Sequence, residues 1–246
     1  MTADKKVALV TGANKGIGFE TARQLGQQGI TVILGARDEA KGKAAAAELA
    51  KEGISAHYVH LDLEQPALFK EVYHFIEAHY GRLDILVNNA GIEIEGGFGV
   101  NTTVQTTQAN LRKTFDVNFF NLIELTQVLL PLIQKSTAGR IVNLSSILGS
   151  QTLHATEGSP IYNSKAFAYD ASKTALNAFT IHLAHALAGT HIKVNSAHPG
   201  WVKTDMGGEA APMAIPDGAK TSVRLATLPA EGPTGGYFHM NDTLPW

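Results

Sequence analysis

A short apolar run, Val7-Ala8-Leu9-Val10, leads straight into Thr11-Gly12-Ala13-Asn14-Lys15-Gly16-Ile17-Gly18 and then into a helix-forming stretch. No other feature limits the fold as strongly. Glycine at 12 and 16 lets the backbone turn sharply and approach a ligand, and Gly18 lets the helix pack closely on a sheet. The helix N-terminus offers free N–H groups and the positive end of its dipole, which suit a pyrophosphate. A glycine turn alone is weak evidence, but one set between strand and helix points to nucleotide binding. The spacing here is G-x-x-x-G-x-G preceded by threonine, not G-x-G-x-x-G.

The remaining chain repeats the strand-then-helix pattern. Apolar runs predict strands at 7–10, 31–34, 57–61, 85–87, 140–144, 192–197 and 236–238. Helical patterning falls near 18–28, 40–51, 66–80, 104–134, 165–188 and 217–227. This alternation predicts an α/β, Rossmann-type doubly wound domain of about seven parallel strands with helices on both faces. Runs without alternation, such as Ile85-Leu86-Val87, fit strands buried on both sides. Two segments read as irregular, 91–103 and 149–164. Both follow strand C-termini, where open α/β sheets bind ligands.

The chain has 246 residues, 44% of them hydrophobic, enough for a single domain with one large core over 1–246. A net charge of −2 gives no footprint for nucleic acid. With no cysteine, thiolate nucleophiles, disulfides and cysteine-bound metals are ruled out. The polar start shows no signal-peptide pattern and no stretch reads as a membrane span, so a cytoplasmic protein is the default expectation. The ten histidines are scattered. His182 and His185 are three apart without an HExxH pattern, and read as helix-face residues, so no metal is expected. A G-x-S-x-G elbow is also missing, which removes a serine hydrolase.

Further motifs follow in order. Asn88-Asn89-Ala90-Gly91 comes after the fourth strand, and Asn118 lies in the next long helix. Asn143-Leu144-Ser145-Ser146 closes the fifth strand. Tyr169-Asp170-Ala171-Ser172-Lys173 gives Y-x-x-x-K, and His198-Pro199-Gly200-Trp201-Val202-Lys203-Thr204 follows the sixth strand. Together with the glycine turn, these motifs resemble the short-chain dehydrogenase/reductase family over essentially the whole chain. Within it, the glycine turn, Gly200 to Met206 and Glu231-Gly232-Pro233 are most similar to NADPH-dependent carbonyl reductases.

Tyr169 and Lys173, four apart on a helix, share a face. Many such pairs merely occupy a solvated surface; what sets this one apart is the company of Ser146 and Asn118. A nearby ammonium is expected to lower the tyrosine pKa toward the range where it can exchange a proton. The resemblance implies that hydride passes between nicotinamide and a substrate carbonyl carbon while Tyr169 exchanges the proton at oxygen. It implies too that Ser146 hydrogen-bonds that oxygen, that Lys173 also binds the nicotinamide ribose, and that Asn118 anchors a water linking Lys173 to solvent. Neighbours in a strand point to opposite faces, so Ser145 competes with Ser146 until alignment favours the latter. Tyr162 and Lys165, three apart in the irregular segment, read as a decoy. Asn118 alone would read as a helix-face amide, and Asn88 and Asn89 as turn residues. The resemblance makes Asn88 structural and places Asn89, Ala90 and Gly91 beside the cofactor.

For the cofactor, NAD-selective members place an acidic residue at the end of the second strand. Here Ala36 stands there, followed by Arg37. A guanidinium suits a 2′-phosphate, so NADP(H) is expected, with Lys15 and Asn14 assisting. Against this, Arg37 and Lys15 would also pass as ordinary surface cations, and Asp38 could accept a ribose hydroxyl instead. Gly12, Gly16, Ile17 and Gly18 form the phosphate turn, and Asp62 and Leu63 match the adenine contact. Pro199, Gly200, Val202 and Thr204 complete the cofactor set. The substrate pocket is expected from Ile147, Leu148, His198, Trp201 and Met206, with packing as the alternative role for Trp201. These residues favour a hydrophobic ketone, aldehyde or quinone.

The gap between Ser146 and Tyr169 is longer than in plain members of the family, with the surplus at 151–164. Gly158, Ser159 and Pro160 favour a turn there. Mammalian carbonyl reductases carry a larger insert at this place and are monomers. An insert covering the outer faces of the helices bearing Asn118 and Tyr169 would block pairing, whereas one flanking the pocket mouth would leave that interface open; the first placement is preferred, and with it a monomer over a homo-oligomer. Other readings are oxidation of a secondary alcohol, reduction of a 3-oxoacyl thioester, and a sensor that binds NADP(H) without turnover. Sensors tend to lose the Tyr/Lys pair, which this chain keeps.

Overall fold

Successive residues of the apolar runs point to opposite faces of one sheet, and each face has its own core. Leu9, Ile33 and Leu86 join Phe69, Val72, Ile76, Leu125, Leu129 and Leu187 on one side. Ala8, Val10, Val32, Leu34, Ile85 and Val87 join Leu25, Leu49, Val223 and Leu225 on the other. The computed structural model describes residues 5–98 and 103–246; residues 1–4, and 99–102 of the expected irregular segment, lie outside the described residues.

The strands are β1 (Val7–Thr11), β2 (Thr31–Ala36), β3 (Ala56–His60), β4 (Ile85–Asn88), β5 (Arg140–Leu144), β6 (Lys193–Ala197), β7 (Tyr237–His239) and β8 (Asp242–Thr243), ordered β3-β2-β1-β4-β5-β6-β7-β8. The first seven run parallel as expected. The eighth is an addition: a two-residue strand antiparallel to β7, too short to show in the sequence pattern. Helices α1 (Gly16–Gln27), α2 (Glu39–Lys51) and α8 (Ile215–Ala226) cover one face. Helices α3 (Ala67–Tyr80), α5 (Asn121–Gln134) and α7 (Phe167–Ala186) cover the other. Strand order reverses between β1 and β4, so a crevice opens at their carboxyl ends.

Two expectations are corrected here. The long helix expected at 104–134 starts at Gln108, where Thr107 caps it by accepting from Asn110 N at 3.1 Å. Its first part, α4 (Gln108–Phe115), passes into α5 through a π-helical turn, Asp116–Phe120. This rod, Gln108–Gln134, is long and apolar enough to cross a membrane, with mean hydropathy 1.2, although no such span was expected. Its length reflects a core helix, because Leu122, Leu125, Leu129, Leu132 and Ile133 are buried. The irregular segment 149–164 holds a short helix, α6 (Gln151–Ala155), capped by Ser150 and preceded by a 3₁₀ turn, Ile147–Gly149. Five residues are too few to show helical periodicity.

Candidate active site

The glycine turn has the geometry its sequence requires. Gly12 and Gly16 have φ of 65° and 60°, where a side chain would be strained. A Cβ on Gly18 would sit 2.6 Å from Gly12 O and 2.4 Å from Asn89 Nδ2. Asn89 braces the turn, donating through Nδ2 to Thr11 O at 2.7 Å. Thr11 Oγ1 accepts from Asn89 N at 3.0 Å and Ala90 N at 2.9 Å. Asn88, expected to be structural, donates to Thr126 Oγ1 at 3.0 Å and Asn143 Oδ1 at 2.9 Å. Among the described residues no side chain caps α1, which starts beside half-buried Asn14 and Ile17. A cradle that excludes Cβ atoms and ends on an uncapped helix fits a dinucleotide pyrophosphate.

At the end of β2 the arrangement departs from a simple cationic patch. Arg37 is exposed, with Nη1 3.7 Å from Glu64 Oε2. Lys15, expected at the same phosphate, instead pairs with Asp205 of the loop after β6. Asp38 caps α2, accepting from Lys41 N at 3.0 Å, and that amide holds its carboxyl below the ordinary carboxylate value. Its carboxylate is thus already committed. Asp62 accepts from Glu64 N and Gln65 Nε2 at 3.0 and 3.1 Å, and Leu63 O accepts from Asn121 Nδ2 at 2.6 Å. Beside Leu63 opens a surface cavity of about 340 Å³ lined by Glu64, Arg112, Lys113 and Asn121 among others.

After β6, Gly200 has φ 94°, and a Cβ there would come within 2.7 Å of the Met213 side chain. Half-buried Pro199 precedes it. Val202 is buried and bridged to Met213. Thr204 Oγ1 accepts from Gly207 N at 3.1 Å, and its methyl lies 3.7 Å from where a Gly16 Cβ would stand. The loop therefore meets the glycine turn across the crevice.

Ser146, Tyr169, Lys173 and Asn118 converge on the same edge. Tyr169 and Lys173 are buried, and Lys173 Nζ lies 5.6 Å from the Tyr169 ring centre. The Ser146 side chain faces the phenol and favours its anion. Ser145 Oγ is buried without a hydrogen-bond partner among the described residues. Lys173 Nζ donates to Leu144 O at 2.8 Å. A Cβ on Gly91 would stand 3.3 Å from Asn118 Oδ1 and 3.4 Å from Lys173 Nζ. The π turn brings Asn118 inward, as such bulges often do at functional sites. Its Oδ1 accepts from Ile92 N at 2.8 Å, and its Nδ2 donates to Ile92 O at 2.9 Å and Ser172 Oγ at 3.1 Å. It ties the loop after β4 to α7.

The electrostatics correct one expectation. The Tyr169 phenol is pushed above its ordinary pKa, chiefly by burial and further by Asp170 and Glu93, with only Ser146 pulling it back. Burial dominates because the ring is enclosed by Leu148, Ile161 and Ala166 and met edge-on by Phe98, with ring centres 5.6 Å apart. Burial also lowers Lys173 to about 8.

Of the expected pocket residues, Ile147 and Leu148 belong to this apolar wall. His198 is turned inward: it is buried, its Nδ1 accepts from Ile147 N at 3.1 Å, and burial, aided by His239, lowers it to about 3. Trp201 is half-exposed, its Nε1 donating to Gly207 O at 2.8 Å, and Met206 is exposed beside it.

The insert packs against this wall through Leu153 and Ile161. Lys165, the decoy lysine, donates to His154 Nδ1 at 2.8 Å. Phe120, Phe167 and Ile181 remain exposed on the helices that the insert was expected to cover. The insert thus lies against the pocket wall and leaves these three side chains uncovered.

Glu95 and Phe98 were missed, since nothing in Glu93-Ile94-Glu95-Gly96-Gly97-Phe98 marks them. Buried Glu95 accepts from Tyr169 N at 3.1 Å, at the start of α7. Asp170 Oδ2 accepts from Ala166 N at 3.0 Å and lies 3.4 Å from His154 Nε2. Burial, with Glu95 and Glu93 adding, raises its carboxyl to about 7. A folded pKa above the unfolded one means that the native state holds this proton more tightly. Stability is thus lost as pH rises from about 4 to 7. Asp170→Asn keeps an acceptor for Ala166 N, so it should raise Tm by about 5 °C at pH 8 and hardly at all at pH 4. Thermal melts of both proteins at both pH values check this, and an equal shift at the two would contradict it.

A family model for short chain dehydrogenase matches residues 6–214. The chain belongs to the short-chain dehydrogenase/reductase family. It is 36% identical to carbonyl reductase (NADPH) 1 of Mus musculus, covering 100% of both chains. It is 34% identical to short-chain dehydrogenase/reductase 1 of Saponaria officinalis, covering 99% of this chain and 97% of that one. Its structure matches the NADPH-bound carbonyl reductase from chicken fatty liver with a TM-score of 0.85 at 25% identity, covering 98% of this chain and 99% of the other.

Proposed function

We propose that the chain uses NADPH to reduce the carbonyl of a hydrophobic ketone, aldehyde or quinone to an alcohol, with Tyr169 as the proton donor. The observation that carries this reading is the convergence of the Tyr169 phenol, Ser146 and the Lys173 ammonium at the crevice beside the glycine cradle. When bound, the reduced nicotinamide would supply the hydride. Ser146 would hold the substrate oxygen by a hydrogen bond, where negative charge grows as the carbonyl is reduced. Tyr169, kept protonated by its buried setting, would give that oxygen its proton. Lys173 would hold the ribose hydroxyls, and its charge would favour the phenolate left behind. Asn118 would fix the loop after β4 against α7 and so fix Lys173 beside Gly91. The apolar wall of Phe98, Ile147, Leu148 and Leu153 supports a hydrophobic substrate.

The test is NADPH consumption by the purified protein with aromatic ketones, α-dicarbonyls, quinones and aldehydes. Turnover of at least one hydrophobic carbonyl is expected. Tight NADPH binding without turnover of any class would favour the sensor instead.

A further inference from the structure

The turn that carries Ser146 is closed by backbone bonds from Gly149 N to Ser146 O at 2.7 Å and from Ser150 N to Ile147 O at 3.0 Å, and is tied to its surroundings by side chains. Ser146 Oγ accepts from Leu148 N at 3.2 Å, and His154 Nε2 bonds Leu148 O at 2.9 Å. Thr174 and Asn177 donate to Gly149 O at 3.1 and 3.3 Å. The peptide unit joining Ser146 to Ile147 is gripped at both ends. Its N–H donates to His198 Nδ1 at 3.1 Å, and its carbonyl accepts from the phenol hydroxyl of Tyr237, which is 91 residues away on β7.

Both grips are built to persist. Tyr237 is fully buried, and its ring stacks on Trp246 with centres 5.4 Å apart and planes 21° from parallel. Burial pushes its phenol well above the ordinary value, so it remains a donor. His198 is kept neutral by burial, so its Nδ1 remains an acceptor, while His239 Nδ1 bonds the His198 carbonyl at 3.0 Å. The sequence gives His198 a place in the pocket and gives Tyr237 no role.

We propose that Tyr237 and His198 are positioning residues, which together fix the plane of the Ser146–Ile147 peptide and so aim the Ser146 hydroxyl at Tyr169 and the substrate oxygen. The bond from Gly149 N to the same carbonyl lies within the turn and moves with it, whereas Tyr237 and His198 tie the peptide to β7 and to the loop after β6, so losing either tie lets the turn pivot about its flanking single bonds. Displacing a catalytic group by about 1 Å costs up to 10²-fold in rate, so even partial release should show in kcat. The inference rests on the role proposed above for Ser146.

Tyr237→Phe removes one hydroxyl and keeps the ring and its stack. It should lower kcat by about threefold to tenfold, the size of one hydrogen bond lost from a carbonyl that keeps its bond to Gly149 N, with KM for NADPH within about twofold of the parent. His198→Ala should act similarly, and His198→Asn, which restores an acceptor, should recover most of the loss. The deciding measurement adds Tyr237→Phe to Ser146→Ala. A residue acting through Ser146 adds nothing to that variant, whereas a general loss of packing multiplies with it. Parent-like kcat in Tyr237→Phe, or a full further loss in the double variant, overturns the proposal. Should Tyr237→Phe not fold, the His198→Ala and His198→Asn pair on the Ser146→Ala background reads the same coupling. If Ser146→Ala alone keeps parent activity, the serine assignment itself is wrong and the clamp falls with it. A normal loss in Ser146→Ala beside a silent Tyr237→Phe overturns the clamp alone.

Discussion

Tyr169→Phe should lower carbonyl-reduction kcat by roughly 10²–10⁴-fold while leaving NADPH affinity within a few-fold of the parent. The substitution removes only the phenol oxygen. The ring contacts with Phe98, Leu148 and Ile161 survive, so the apolar wall and the start of α7 stay in place. Lys173 keeps its bond to Leu144 O, so the group assigned to the ribose is not disturbed. Single-turnover kinetics with fluorescence titration of NADPH separate the two effects. Near-parent kcat would remove Tyr169 as the proton donor. The pH profile gives a second check. A buried phenol pushed above its ordinary pKa carries its proton throughout the neutral range, as reduction requires. Lys173 has a lowered pKa of about 8, so its charge is present below that pH and lost above it. Reduction should therefore weaken as pH climbs past about 8.

What the sequence reveals, and what it hides, follows from how local each signal is. The glycine turn is legible because Gly12, Gly16 and Gly18 each answer a local need: a positive φ or contact too close for a Cβ. Strands β1, β2 and β4 are legible because a strand covered on both faces must be apolar throughout. Tyr169 and Lys173 are linked by helical spacing alone. Other features depend on distant partners. Tyr237 meets Ser146 only because β7 is recruited to the sheet edge beside β6. Glu95 reaches Tyr169 N from another loop, and α6 is held through His154 and Ser150 rather than by periodicity. The direction of the Tyr169 shift was hidden for the same reason. Sequence shows the lysine four residues away but not the enclosing apolar wall, whose burial of the phenol sets the direction of the shift.

Cofactor choice brings these strands of argument to one residue. In this chain β2 ends at buried Ala36, whose carbonyl accepts from Tyr58 Oη at 3.2 Å. The nearest acidic side chain in sequence, Asp38, is committed to capping α2. A ribose bearing two free hydroxyls therefore finds no unengaged carboxylate on Ala36-Arg37-Asp38. Arg37 is the exposed cation there, held only loosely by Glu64 at 3.7 Å, while Lys15 is drawn to Asp205. Surface pairs of that kind are weak and yield readily to a doubly charged phosphate. Arg37→Ala should therefore weaken NADPH by about 10–100-fold, the worth of one charge-assisted contact, and change NADH by less than about twofold. Lys15→Ala should cost less, because that ammonium must first leave Asp205. Titrating both nucleotides against the parent and the two variants at fixed ionic strength gives the comparison, since screening alters exposed charges. A parent that binds NADH and NADPH equally well would overturn the assignment. So would an Arg37→Ala variant that loses both nucleotides in proportion, since Arg37 would then be supporting the fold of the β2 turn rather than reading the phosphate.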